Sequence, residues 1–251
     1  MSAHRFEDER FLRGKGRYVA DINRENQLYA KIVRSIHGHA KIINIDISDA
    51  LTVDGVCGIY VEDDLAKDGV GPLPCTTKFV AEQPLVVAER YALARDKVRY
   101  VGDPVALVLA ETEMAAQEAA ELVLVDYEAL PVLVSPVNSM QDGSPLIWSN
   151  APKNIAYRFK KGEKESTATA FDGAAHVVEL DIENNRVMAL PIEPRAGIGE
   201  YDPKNDVMRL ICTAQGVHAI REQLAQSVFS MDEKKIQISA PDVGGGFGLK
   251  N

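Results

Sequence analysis

Cysteine is scarce in this chain: Cys57, Cys75 and Cys212 are the only three among 251 residues. They lie far apart and form no C-x-x-C pair, so neither a zinc ribbon nor an iron–sulfur ligand run is written here. An odd and low count suits a reducing cytosol better than secretion. Positive charge is also in deficit, with 28 Lys and Arg against 37 Asp and Glu and a formal net charge of −9. That balance argues against broad nucleic-acid binding, because phosphates reward clustered positive charge. Long apolar runs are missing too. The stretch PVALVLA, Pro104 to Ala110, falls well short of the ~20 residues a spanning helix needs. The beginning of the chain, His4 to Arg17, is charged and holds no apolar segment of the signal-peptide kind. The expectation is a cytoplasmic chain with neither membrane nor nucleic acid among its partners. What is present is ordinary for a folded protein: 46% hydrophobic and 26% charged residues, enough for one large or two small domains and against disorder.

The first half reads as mixed α/β. Ile43, Ile45 and Ile47 alternate with Asn44 and Asp46, the period of a half-buried strand. Short apolar runs at 56–61, 105–110 and 122–127 read as further strands. Between the last two lies TEMAAQEAAE, Thr112 to Glu121. Thr112 can cap a helix whose body is rich in alanine, the best helix former. The helix is expected to pack on one sheet holding both flanking strands. Residues 135–154 contain three prolines among Ser, Asn, Asp and Gly, which predicts a linker, or a long loop inside one domain. Beyond it, 176–183 and 206–213 read as strands. Val217, Ile220, Leu224 and Val228 form one helical stripe, and 235–240 reads as a strand running into a glycine loop.

That loop, Gly244-Gly245-Gly246-Phe247-Gly248, is the sharpest feature. Glycines admit positive φ and close backbone approach to a ligand, and such a loop after a strand can offer N–H groups to an oxyanion. A flexible hairpin tip has the same composition. Two phosphate-loop patterns fail at Leu249, where each needs a glycine, and Asn251 stands where the Walker pattern needs Ser or Thr. His37 and His39 would lie on one face of a strand, as a metal pair needs, but no further ligand can be assigned, and a pair without further ligands is an incomplete site, so the expectation is a structural pair. Glu193-Pro194-Arg195 could orient an anionic ligand, or be an ion pair or solvated turn. Gln215, between a strand and a helix, could donate its amide to a bound group, or be a surface loop residue.

Taken in order, several stretches resemble the N-terminal part of the molybdenum hydroxylase large subunits, the family of xanthine dehydrogenase, aldehyde oxidase and the carbon monoxide dehydrogenase large chain. They are FLRGKGRYVADI (Phe11 to Ile22), RSIHGHAKI (Arg34 to Ile42), VRYVGDPVALVLAET (Val98 to Thr112), AAELVLVDYEALPVLV (Ala119 to Val134), IEPRAGIGEYDP (Ile192 to Pro203), TAQGVHAIREQLA (Thr213 to Ala225) and PDVGGGFGLK (Pro241 to Lys250). The resemblance implies an α/β-hammerhead domain over 1–134, a linker over 135–154, and the incomplete start of the first molybdopterin-binding domain over 155–251. It implies oxidative hydroxylation of a small-molecule substrate, with oxygen from water. The cofactor it implies is molybdopterin carrying molybdenum, with the cytosine dinucleotide form as one candidate. Iron–sulfur clusters and FAD would lie on partner chains, the iron–sulfur and flavin subunits.

Residue by residue, Gln215 matches the family glutamine whose amide contacts an oxo ligand on molybdenum. Gly246, Phe247 and Gly248 match the loop whose backbone approaches the cofactor. His37 and His39 fall in a family pattern read as structural. No catalytic residue and no protein ligand to a metal is expected in this chain. Family large subunits are considerably longer, and their general-base glutamate lies beyond residue 251. The expectation is a fragment, a split-gene half or a truncated reading frame, inactive alone, whose further partner is the remainder of the catalytic subunit. Asn251 stands where purine-oxidising members carry a glutamate, which weakens a xanthine assignment. The rival reading is a non-catalytic interaction or assembly module that retains the hammerhead fold.

Overall fold

The apolar runs of the first half become two three-stranded antiparallel sheets. The computed structural model describes residues 5–76 and 85–250. A short helix α1 (Asp8–Leu12) precedes β1 (Tyr29–Arg34), β2 (Ala40–Asp46) and β3 (Val56–Val61). Then come α2 (Glu62–Lys67), β4 (Lys97–Val98), β5 (Pro104–Ala110), α3 (Glu113–Leu122) and β6 (Leu124–Ala129). The first sheet has the order β1-β5-β3 and the second β4-β2-β6. In β5, Val105 and Val108 expose nothing. Val108 and Ala106 pack with Ile59, Ala119 and Val123, while Val105 joins Ala40 and Val98 of the second sheet. β5 is therefore buried on both faces, which is why its sequence is continuously apolar rather than alternating.

The alanine-rich helix forms as expected. The Thr112 hydroxyl accepts the Ala115 N–H at 3.1 Å as its N-cap, and Ala115, Ala116 and Ala119 are buried. The small side chains let α3 lie close over Ala110, Val53 and Val56. One expectation is corrected: the flanking strands do not share a sheet. Only Val123 separates α3 from β6, and the chain passes directly to the edge of the second sheet beside β2. The helix thus links two sheets rather than closing over one.

The chain groups into two compact units. The larger holds 1–74, 89–133 and 190–251, and the smaller holds 75–88 and 134–189. In the smaller unit, α4 (Pro136–Ser139) is capped by the Ser135 hydroxyl, and Asn154 ties the loop by donating to the Ser139 and Pro145 carbonyls at 2.9 and 3.0 Å. A second helix, α5 (Lys164–Asp172), follows. The strand expected at 176–183 is not formed: the backbone pairs with no other strand among the described residues, and Val178, Leu180 and Ile182 are 91%, 76% and 78% exposed. Alternation alone does not make a strand, because its N–H and C=O groups need a ladder partner.

Back in the larger unit, β7 (Gly197–Asp202) runs antiparallel to β8 (Val207–Cys212), and β8 runs parallel to β9 (Ile236–Ser239). Between β8 and β9 comes α6 (Val217–Gln223), which widens into a π turn over Leu224–Val228. The expected single stripe therefore shifts its face past Gln223, since a π turn adds a residue to the helical repeat. Ala225 and Val228 are buried there, and the Val228 carbonyl accepts the Gly71 N–H at 2.7 Å.

Candidate cofactor-facing site

β8 and β9 are parallel, so both deliver the chain to the same end of their sheet. Register pairs Ile211 with Ser239. Three residues past the end of β8 stands Gln215, and five past the end of β9 begins the glycine loop. Carboxyl ends of strands are where ligands of open α/β sheets gather. The two segments meet there. The Gln215 Oε1 accepts the Gly248 N–H at 2.8 Å and the Lys250 N–H at 3.3 Å. The Gln215 backbone N–H donates to the Lys250 carbonyl at 2.8 Å. A Cβ on Gly246 would overlap the Gln215 side chain, so only glycine fits.

Two backbone donors fix which way the amide of Gln215 faces, because only its oxygen can accept them. Its Nε2 makes no hydrogen bond among the described residues, and neither do the backbone N–H groups of Gly245, Gly246 and Phe247. The site thus presents a side-chain amide and three successive backbone N–H groups as uncommitted donors. Gly245 and Gly248 take φ of 95° and 79°, and Phe247 between them takes φ of 50°. Positive φ is unfavourable for a bulky side chain, yet Phe247 is held there with 70% exposure. Donors of this kind suit an oxygen-rich or anionic group.

The loop is tied into the fold at its start. Asp242 accepts hydrogen bonds from both terminal guanidinium nitrogens of Arg10 and, at 2.6 Å, from the Arg17 N–H. These bonds, the one to Arg10 foremost, hold its carboxyl down at about 2. The charged N-terminal stretch and the glycine stretch are thereby joined. At its other side, Glu193 does not pair with Arg195. Its Oε2 accepts the Gly244 N–H at 2.7 Å and the Lys250 ammonium at 3.1 Å. Arg195 donates from Nε and Nη2 to the Leu249 carbonyl at 2.9 and 2.6 Å. These partners are 51 to 57 residues apart in sequence, and no local pattern announces them.

The two histidines sit in the bend between β1 and β2, not on a strand. The His37 ring packs against Tyr127, tilted at 55°, with 4.8 Å between ring centroids. His39 is buried, with Nδ1 2.9 Å from the Pro131 carbonyl. The two rings thus have separate protein partners. No cluster of three or more His, Cys, Asp or Glu that could hold a metal ion occurs among the described residues. Asn251 lies outside the described residues.

Residues 13–131 match the family of aldehyde oxidase and xanthine dehydrogenase, a/b hammerhead domain. Residues 147–251 match the molybdopterin cofactor-binding domain. The chain belongs to the aldehyde oxidase and xanthine dehydrogenase family. The mixed α/β fold, a hammerhead followed by the start of a molybdopterin-binding domain, is as the sequence predicts. The chain is 36% identical over 98% of its length to the nicotine 6-hydroxylase large subunit of Paenarthrobacter nicotinovorans. It is 34% identical over 98% of its length to the carbon monoxide dehydrogenase large chain of Afipia carboxidovorans. It spans only 29% and 31% of those two proteins. Among solved structures, quinoline 2-oxidoreductase from Pseudomonas putida 86 superposes with a TM-score of 0.87 at 30% identity, over 100% of this chain and 31% of that one. No helix among the described residues is long and apolar enough to cross a membrane.

Proposed function

We propose that this chain is the N-terminal part of the catalytic subunit of a molybdenum hydroxylase, contributing one wall of a composite cofactor site. The observation that carries the reading is the pinned amide of Gln215. With its oxygen held by Gly248 and Lys250, its N–H groups, like those of Gly245, Gly246 and Phe247, have no hydrogen-bond partner among the described residues. These donors fit the oxygen atoms that surround a molybdenum centre. Gln215, Gly246, Phe247 and Gly248 are the cofactor-facing residues, and the catalytic groups lie on polypeptide outside this chain.

The cofactor, when bound, supplies the two-electron oxidation centre for hydroxylating a small molecule with oxygen from water. Gln215 donates through Nε2 and does not itself exchange a proton. The glycine loop offers fixed backbone dipoles, which cost no reorganisation when charge develops nearby. Iron–sulfur clusters and FAD, which would carry the electrons away, would lie on partner chains, since this chain writes no C-x-x-C pair that could hold a cluster. We place the division at 1–134, 135–154 and 155–251, and the location in the cytoplasm.

The test is expression in a host that makes the cofactor, once alone and once with the polypeptide that matches the remaining seven-tenths of the relatives' length. Metal analysis is expected to find little molybdenum on the chain alone and stoichiometric molybdenum on the pair. The nucleotide released from the pair distinguishes the cytosine dinucleotide from other pterin forms. Stoichiometric molybdenum on the chain alone overturns the composite site. A correctly assembled pair without molybdenum overturns the cofactor reading and leaves an assembly module.

A further inference from the structure

Glycine-rich loops are poor at holding a geometry, because glycine has more backbone freedom to lose than any other residue. A donor site is effective only when it is preorganised. Inside the loop there is one bond of its own, from the Leu249 N–H to the Gly246 carbonyl at 2.9 Å. The rest of its support comes from outside.

We infer that Glu193 and Arg195, flanking Pro194, are the positioning residues of this site: they clasp the glycine loop at both ends and so set the direction of the Gln215 amide. The inference rests on the reading of Gln215 as a cofactor-facing donor. Glu193 holds residue 244 twice, accepting its N–H at Oε2 and donating its own N–H to the Gly244 carbonyl at 3.3 Å. The same Oε2 holds the Lys250 ammonium, so one atom ties together the two ends of the loop. Arg195 grips the carbonyl between, at Leu249. Pro194 fixes its own φ and limits how the two grips can move relative to each other.

The clasp is committed by burial. The Lys250 side chain exposes nothing and that of Glu193 exposes 10%, so neither charge has water as an alternative partner. The fit is also steric: a Cβ on Gly244 would strike Glu193. Gln215 reads the result. It bonds to the N–H groups of Gly248 and Lys250, on either side of the carbonyl that Arg195 holds. Displacing Leu249 therefore displaces the partners of Oε1, and with them the direction of Nε2.

The experiment uses the 251-residue chain, labelled with 15N, and compares wild type with Arg195→Ala, Arg195→Lys and the double variant Glu193→Gln with Lys250→Met. The double variant keeps an acceptor for Gly244 while removing the buried ion pair. In Arg195→Ala, hydrogen exchange at Gly248 and Lys250 is expected to rise about tenfold, the worth of one hydrogen bond. The Gln215 side-chain NH2 signals are expected to move toward those of a free amide. Arg195→Lys should recover part of both effects, and the double variant should show both. Protection at Val105, Val108 and Ala116 should stay as in wild type. Unmoved Gln215 signals in Arg195→Ala overturn the inference, and so does a rise in exchange spread equally over the core. If the double variant does not fold, the Arg195 pair still decides. Because no cofactor is present in this experiment, its outcome is separate from that of the metal analysis.

Discussion

Val98, Val105 and Val108 expose nothing, and what surrounds them is apolar side chain. Gln215 and Phe247 stand exposed at a loop that is held by backbone amide, carboxylate, guanidinium and ammonium. Both regions belong to the larger unit, yet they are held by different forces. The two-sheet region draws on removal of apolar area from water, which is non-directional and tolerant of small shifts. The glycine loop is held by directional contacts, each modest in net energy but specific in geometry. The difference teaches where to expect stability and where to expect precision. A fold can be secured far from the site, leaving the site free to carry exposed donors and a phenylalanine at positive φ.

The sharpest way to test that division is to damage the apolar side. Val108→Ala removes two methyl groups from a position with no exposure. The expected cost is about 2 kcal/mol, the transfer term plus an incompletely closed cavity. A urea melt should show a lower midpoint with an unchanged slope. Hydrogen exchange should quicken across β1, β3, β5 and α3 together. If the loss were confined to residues near 108, the first sheet and α3 would not share one core and the comparison would break.

These two kinds of support were also unequally legible. Strand β2 follows from alternation, strands β3, β5, β6, β8 and β9 from short apolar runs, and helix α3 from alanine content and its cap, because burial leaves a mark that a single segment carries within itself. The failures have the same root. Whether 176–183 forms a ladder depends on a neighbour, and its alternation says nothing about one. That β5 and β6 part into different sheets depends on the short step through Val123, not on either strand's composition. At the site, Gln215 and the glycines were visible through resemblance and residue type. Their supports were not. Glu193 meets Lys250 across 57 residues and Arg10 meets Asp242 across 232. A lone Glu-Pro-Arg turn does not say which carbonyl its arginine will reach.

A smaller effect is expected where the polar region meets the N-terminal stretch. Asp242 is held at about 2 by the Arg10 guanidinium and the Arg17 N–H. An unfolded aspartate titrates near ~3.9. The folded value is the lower of the two, so the stabilisation is fully present above the unfolded value. It is lost as pH falls through the folded one. The stability difference between wild type and Asp242→Asn should therefore be constant from neutral pH down to about 5 and should shrink between about 4 and 2. Urea midpoints across that range measure it. A difference that persists undiminished at the acid end would mean that Asp242 supports the loop by shape rather than by charge.

The smallest effect on folding, and the most informative about the site, is expected at Gln215. Replacing it with Ala removes the acceptor for Gly248, which is exposed and can turn to water, and a longer bond to Lys250. The net cost should be ~1 kcal/mol or less. Gln215→Glu separates the two halves of the amide. A carboxylate still accepts the Gly248 and Lys250 N–H groups, so thermal and urea stability should match wild type. It has lost the two N–H donors, and it brings a negative charge beside donors that have no partner among the described residues. In the assembled subunit both variants should lower turnover, and Gln215→Glu by the larger factor, on the order of a hundredfold for a lost donor at a developing charge. If Gln215→Glu turned over normally while Gln215→Ala did not, the residue would matter only as an anchor for Gly248. The contrast between a stabilising core and a donating site would then have to be redrawn one residue further along the loop.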